Sequence, residues 1–321
     1  MLRVWACLVG LVPMLGALAA PSSAALHYTG FGATLASSTN GAPQAIPATV
    51  LRPEGEGPFP AIVIAHDCSG LGAHSSGSPG RWAALLAGEG YVVIMPDSFT
   101  PRGFTEGVCT AKTATSGGSL ASVMPPARGV DAYAALDYLR TLPYVDGAHI
   151  GIMGGSHGGA TTLAAMVDAA NALARQGRAS KPGFAAAIAL YPGCGARFGG
   201  WNVERDYRDH GPVTRYIGVY KPLAPVLILI GEKDDWTPAD QCQALAQRAQ
   251  EAGLPVSLKI YPGAYHAFDS AFPVRYIAER RNINKDSGKG ATTGGDAAAW
   301  QDSIAQVKSF FGRHLRGAAK D

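Results

Sequence analysis

The sequence predicts an α/β fold, a mostly parallel central sheet of about eight strands with helices on both faces. From Ile46 onward, short apolar runs rich in β-branched residues alternate with longer Ala-rich stretches of helical periodicity, the sequence form of repeated βαβ units. The chain is apolar throughout, with 47% hydrophobic against 16% charged residues, as strands covered on both faces need. A glycine-rich turn, Gly154-Gly155-Ser156-His157-Gly158-Gly159, stands between a clear strand and a clear helix. The 321 residues fit one core of this kind, and residues 26–321 are read as a single domain.

The first 25 residues read as a secretory signal. Arg3 gives a positive start, and Val4 to Ala20 is an apolar run broken only by Gly10, Pro13 and Gly16. Small residues allow cleavage after Ala19 or after Ala25. The run is short for a bilayer span, so no stable membrane anchor is expected after cleavage and the protein is expected in the periplasm or outside the cell.

His27 to Leu51 has room for one or two antiparallel edge strands. Strands follow at Ala61–Ala65, Tyr91–Met95, His149–Met153, Phe184–Leu190, Val226–Ile230 and Val256–Ile260, each short and nearly all apolar. Helical spacing of apolar residues predicts helices over Arg81–Gly88, Ala127–Arg140, Gly158–Ala174, Pro238–Ala252 and Ala297–Leu315. Three stretches interrupt the alternation: Ser98–Pro126, Cys194–Leu223 and Arg275–Asp296. All follow the C-terminal end of a strand, where open α/β sheets build their sites, so they are expected to shape a substrate mouth.

A net charge of +3 and the lack of any Lys and Arg run interleaved with aromatics exclude the electrostatic footprint of a nucleic-acid binder. Removing the signal leaves Cys68, Cys109, Cys194 and Cys242, an even number in a chain sent to an oxidising compartment, so disulfides are expected in one of three pairings. None of the four shows the close spacing of a zinc site, and no metal is expected.

A serine on a tight strand-to-helix turn is held with its hydroxyl above the sheet, and flanking glycines keep neighbouring Cβ atoms away. Ser156 has this setting, and the helix after it turns its free N–H groups toward charge forming there. A serine needs a base, and the base a carboxylate to orient it; the α/β-hydrolase fold supplies them in the order Ser, acid, His. The acid comes from Gly231-Glu232-Lys233-Asp234-Asp235-Trp236-Thr237-Pro238, directly after an apolar strand. Either aspartate could serve, the other capping the helix near Pro238, and Asp234 is favoured. Of the eight histidines, His266 is the one on the loop after the last strand.

The oxyanion of an acyl-transfer intermediate takes one N–H from the residue after the nucleophile and one from an earlier loop, here His157 and Cys68 of His66-Asp67-Cys68-Ser69-Gly70. His66 and His157 are read as structural neighbours of these donors rather than bases. Asp67 is close enough to modulate the nucleophile, with loop capping as its other role. Asp97 and Asp131 are expected in structural ion pairs, Asp131 with Arg128 three residues before it.

These residues resemble the dienelactone hydrolase family from about Ile46 to Leu315. The segments that carry the likeness are Ala65-His66-Asp67-Cys68-Ser69-Gly70-Leu71, Met95-Pro96-Asp97-Ser98-Phe99, Gly154 to Gly159, Gly231 to Pro238 and Tyr261 to Asp269. The resemblance implies Asp234 as the acid, four residues before Pro238, an oxyanion N–H at Cys68 and a modulating carboxylate at Asp67. It also implies the pairings Cys68–Cys109 and Cys194–Cys242. Ser156 departs from the cysteine nucleophile of dienelactone hydrolases proper, which points to general carboxylic esters or lactones as small-molecule substrates, with no cofactor. An acyltransferase or a peptidase would use the same residues, and a catalytically silent binding protein could keep the same pocket.

Overall fold

The computed structural model describes residues 28–38, 43–110, 118–167, 182–208 and 211–316, without side chains at 205–208 and 211–213. The expected signal segment, its cleavage sites and the helix expected beyond Val167 lie outside the described residues.

Eight strands form one sheet: β1 (Tyr28–Ser37), β2 (Gln44–Pro53), β3 (Phe59–Ala65), β4 (Val92–Pro96), β5 (Val145–Gly155), β6 (Ala186–Leu190), β9 (Val226–Gly231) and β10 (Val256–Tyr261). Their order across the sheet is β1-β2-β4-β3-β5-β6-β9-β10. β1 pairs antiparallel with β2, and β2 antiparallel with β4, while β4 through β10 run parallel. The expected edge strands are therefore both present. The continuous apolar runs are the reason β4, β6 and β9 can lie in the middle, where every residue of each is buried. Truncating one of these side chains, as in Ile228→Ala, costs about 2–5 kcal/mol in a core of this kind.

Among the described residues, five α-helices cover the sheet: α1 (Ser78–Gly88), α2 (Pro125–Thr141), α3 (His157–Val167), α4 (Ala239–Glu251) and α5 (Ala297–Leu315). Trp82 of α1 meets Trp300 of α5 edge to face at 4.7 Å, and α2 packs on α3. Prolines open α1 and α2, where the missing N–H is no loss, and the Asp296 side chain caps α5 by accepting from the Ala299 N–H.

Two of the three interrupting stretches contain antiparallel hairpins, β7 (Asn202–Arg208) with β8 (Gly211–Ile217) and β11 (Arg275–Arg281) with β12 (Lys289–Thr293). The sequence gives no strand signal at β11 because most of its residues are exposed, so no apolar alternation marks it. The parallel strands direct their C-terminal ends to one rim, and the loops after β3, β5, β9 and β10 meet there.

Candidate active site

Ser156 joins β5 to α3 with φ at 54°, the left-handed region that a side chain occupies at a cost of about 1–3 kcal/mol. The Ser156 N–H donates to the Leu190 carbonyl at 2.9 Å, and its own carbonyl accepts from Ala160 at 2.9 Å, which fixes the turn from both sides. The glycines are required by proximity. A Cβ on Gly154 would stand 2.5 Å from the Ala65 carbonyl oxygen, and one on Gly158 only 2.0 Å from the same atom. The serine turn is thus pressed directly against the end of β3, from which the Cys68 loop departs.

His266 is buried, and its two ring nitrogens face two partners. Nε2 lies 2.9 Å from Ser156 Oγ, and Nδ1 lies 2.7 Å from Asp234 Oδ2. With the ring proton on Nδ1 and donated to Asp234, Nε2 is free to accept from the serine hydroxyl. Asp234 is itself held by the Trp236 and Thr237 N–H groups, which donate to Oδ1 at 3.0 and 2.8 Å. The Thr237 hydroxyl lies 2.9 Å from Asp234 Oδ2, 3.0 Å from His266 Nδ1 and 3.1 Å from the Tyr191 carbonyl. The structure therefore brings together the three side chains expected from sequence and adds Thr237 to them. A hydroxyl three residues after an acid carries no distinguishing sequence signal.

Beneath the imidazole, the Tyr191 ring packs on His266 at 4.8 Å between centroids and donates its hydroxyl to Asp269 at 2.7 Å. Trp82 Nε1 donates to the other oxygen of Asp269 at 2.8 Å. Burial pushes the Asp269 carboxyl above its ordinary value, with these two hydrogen bonds working against the shift.

Cys68 and Asp67 lie in the loop after β3, and both line the cleft that holds Ser156. Asp67 accepts from the Ser69 N–H at 2.7 Å and from the hydroxyls of Ser69 and Ser76, so it caps its own loop. Cys68 is bonded to Cys109, and Cys194 to Cys242, each with a Cα separation of 5.0 Å. The His66 side chain is fully buried and that of His157 is half-buried against Arg128. Burial, reinforced by the nearby Arg128 charge, holds both imidazoles well below the ordinary histidine value.

Three expected pairings differ. Asp131 bonds Arg102, at 2.6 and 2.9 Å, and the Ser37 hydroxyl at 2.6 Å, rather than Arg128. Asp97 forms no ion pair among the described residues; it accepts the Phe99 and Thr100 N–H groups at 3.1 and 3.0 Å, fixing the turn after β4. Asp235 caps no helix. Its carboxylate takes the Thr292 N–H at 2.7 Å and Lys285 Nζ at 2.8 Å, and its carbonyl accepts from Asn282 at 2.8 Å.

Those contacts pin the β11–β12 hairpin over the site. Trp236 Nε1 donates to the Arg281 carbonyl at 2.6 Å, and the Arg281 N–H donates to the Cys109 carbonyl at 3.2 Å. The resulting cleft, about 1110 Å³, is walled by Ser156, His266 and Trp236 below and by Arg275, Ile277 and Arg280 of the hairpin above. The Arg280 guanidinium lies 5.0 Å over the Trp236 ring. The Ser98–Pro126 and Arg275–Asp296 stretches shape this mouth as expected, whereas Cys194–Leu223 contributes none of its described residues to it.

Comparison with known proteins agrees with this architecture. The family model "Dienelactone hydrolase family" matches residues 46–315. A Yersinia pestis protein named "Putative carboxymethylenebutenolidase" is 25% identical over 237 residues, covering 73% of this chain and 78% of that protein. The crystal structure of a "Putative Dienelactone Hydrolase" from Klebsiella pneumoniae superposes with a TM-score of 0.60 at 19% identity, over 89% of this chain and 99% of the other. The apo form of Thermogutta terrifontis esterase 2 gives 0.56 at 17% identity, over 94% and 98% of the two chains. At these identities the solved structures speak for the fold, and the family match speaks for descent. The chain is a hydrolase of the α/β-hydrolase fold and belongs to the dienelactone hydrolase family.

Proposed function

We propose that the protein is an exported serine hydrolase that cleaves carboxylic esters or lactones through an acyl-enzyme on Ser156. The observation that carries this reading is the continuous chain of short contacts from Ser156 Oγ through His266 to Asp234, at 2.9 and 2.7 Å.

In this mechanism His266 takes the proton as Ser156 Oγ attacks the ester carbonyl, and Asp234 stabilises the imidazolium that forms. Negative charge on the carbonyl oxygen is received by the N–H groups of His157 and Cys68. The intermediate collapses, the C–O bond of the ester breaks, and His266 returns its proton to the departing alcohol. Water then repeats the sequence on the acyl-serine, releasing the acid and restoring Ser156. Asp67, beside the nucleophile in the cleft, modulates its surroundings. No step calls on a cofactor.

The name of the Yersinia relative refers to a lactone substrate, and lactones are internal esters that the same steps would open. Export is supported by the apolar N-terminal run after Arg3 and by two disulfides, which persist in oxidising compartments. No helix among the described residues is long and apolar enough to cross a membrane.

The test is hydrolysis of p-nitrophenyl esters of increasing acyl length together with labelling by a fluorophosphonate probe. Wild type should turn over and label at Ser156. Ser156→Ala should not label and should lose a factor of about 10⁴ or more in kcat, and Asp234→Asn about 10⁴. Equal activity in wild type and Ser156→Ala would overturn the mechanism. Added alcohols separate hydrolysis from acyl transfer by the product ratio, and the N-terminus of the exported protein should be Ala20 or Leu26.

A further inference from the structure

Arg128 lies in the first turns of α2, is 2% exposed, and has no carboxylate within ion-pair distance among the described residues. Its guanidinium instead spans two loops. Nη1 donates to His157 Nδ1 at 2.7 Å, and Nη2 donates to the His66 carbonyl at 2.7 Å. Phe99 fills the space between, with its ring 4.8 Å from the guanidinium, 4.5 Å from the His66 ring and 5.7 Å from the His157 ring. Arg128 Nε has no partner among the described residues. Burying a cation without a counter-ion is costly, and an apolar side chain would serve stability better. The two segments it joins are those that carry the two oxyanion donors.

We infer that Arg128 is a positioning residue for the oxyanion hole, its planar fork holding the His66-Asp67-Cys68 loop and the His157 turn in the register that points both N–H groups at one oxygen. The inference rests on the serine-hydrolase reading above. A fork with two donors in fixed geometry can bridge two acceptors, and a lysine point charge cannot hold both in the same way.

The experiment compares Arg128→Met, Arg128→Lys and His157→Leu, with active sites counted by fluorophosphonate titration so that only folded enzyme is scored. Expected is a fall in kcat of about 10- to 100-fold in Arg128→Met, with KM changed by less than about threefold, because the loss falls on the transition state. Arg128→Lys should recover only part of this. Affinity for a phenylboronic acid, whose tetrahedral adduct places an oxygen in the hole, should weaken in step with kcat/KM across the series. His157→Leu removes one arm of the bridge, and its effect should be less than additive with Arg128→Met. Should Arg128→Met fail to fold, His157→Leu and Arg128→Lys still decide the matter through the same correlation. Titrated kcat values within about twofold of wild type, or boronate affinities that do not follow kcat/KM, would overturn the inference. Failure of wild type to label would instead remove the hydrolase reading on which it stands.

Discussion

The two disulfides span 41 and 48 residues of chain, so the loops they close in the unfolded state cost similar entropy. Their surroundings differ. Cys194 and Cys242 are wholly buried, joining the segment after β6 to α4, and neither touches the cleft. Cys68 and Cys109 both line the cleft. The Cys68 carbonyl accepts from Val108 at 2.7 Å, and the Cys109 carbonyl accepts from Arg281 of the hairpin at 3.2 Å. One crosslink lies within the packed interior, and the other ties a proposed oxyanion donor to the roof of the site. The same covalent bond therefore has different consequences according to what its flanking backbone carries.

The largest separation between the two should come from removing each. Cys68→Ser with Cys109→Ser is expected to lower kcat by about 10- to 100-fold per titrated site, because the loop of the proposed oxyanion donor loses its tether, and to lower stability as well. Cys194→Ser with Cys242→Ser is expected to cost about 2–4 kcal/mol in denaturant unfolding while leaving kcat near wild type below the melting transition. Equal kcat losses in both pairs would erase the distinction. A finer cut is Asp235→Ala, which frees the hairpin from the acid loop without touching His266. KM should rise roughly three- to tenfold with a smaller change in kcat. A collapse of kcat instead would assign the acid role to Asp235.

The smallest effect is on pH. His66 and His157, beside the front crosslink, are held neutral well below the ordinary value of 6.5, whereas an unfolded chain protonates near it. The unfolded state therefore binds more protons in acid, so their contribution is whole above pH 6.5 and is lost as pH falls below it. Asp269 acts the other way: its raised value makes stability decline as pH rises above 3.8 through the folded value. Unfolding curves between pH 7 and 5 should show falling stability, with a slope shallower by up to about one proton in His157→Gln. An unchanged slope would mean that His157 titrates normally in the fold.

What could be read from sequence follows from how local each signal is. Ser156, Asp234 and His266 each stand just past an apolar strand within a short motif, so fold order alone brought them to one rim. Asp235 meets Asn282, Lys285 and Thr292 across 47, 50 and 57 residues, and no periodicity reports such contacts. The β11 strand escaped notice for the same reason, since its support comes from distant loops and not from a buried face. Asp131 sits at helical spacing from Arg128 and so suggests a local pair, while the partners of Arg128 lie 29 and 62 residues away. The cysteine pairing needed the family likeness, because four cysteines alone leave three choices.

Anchoring the hairpin through Asp235 and Trp236, the two residues that follow Asp234, limits how this pocket can be redesigned. Transplanting Arg275–Thr293 alone into a recipient scaffold would leave Lys285 and the Thr292 amide without acceptors. A graft that also carries Asp235 and Trp236 keeps the carboxylate that accepts from both and the indole N–H that donates to the Arg281 carbonyl, so roof and acid loop should be exchanged as one cassette.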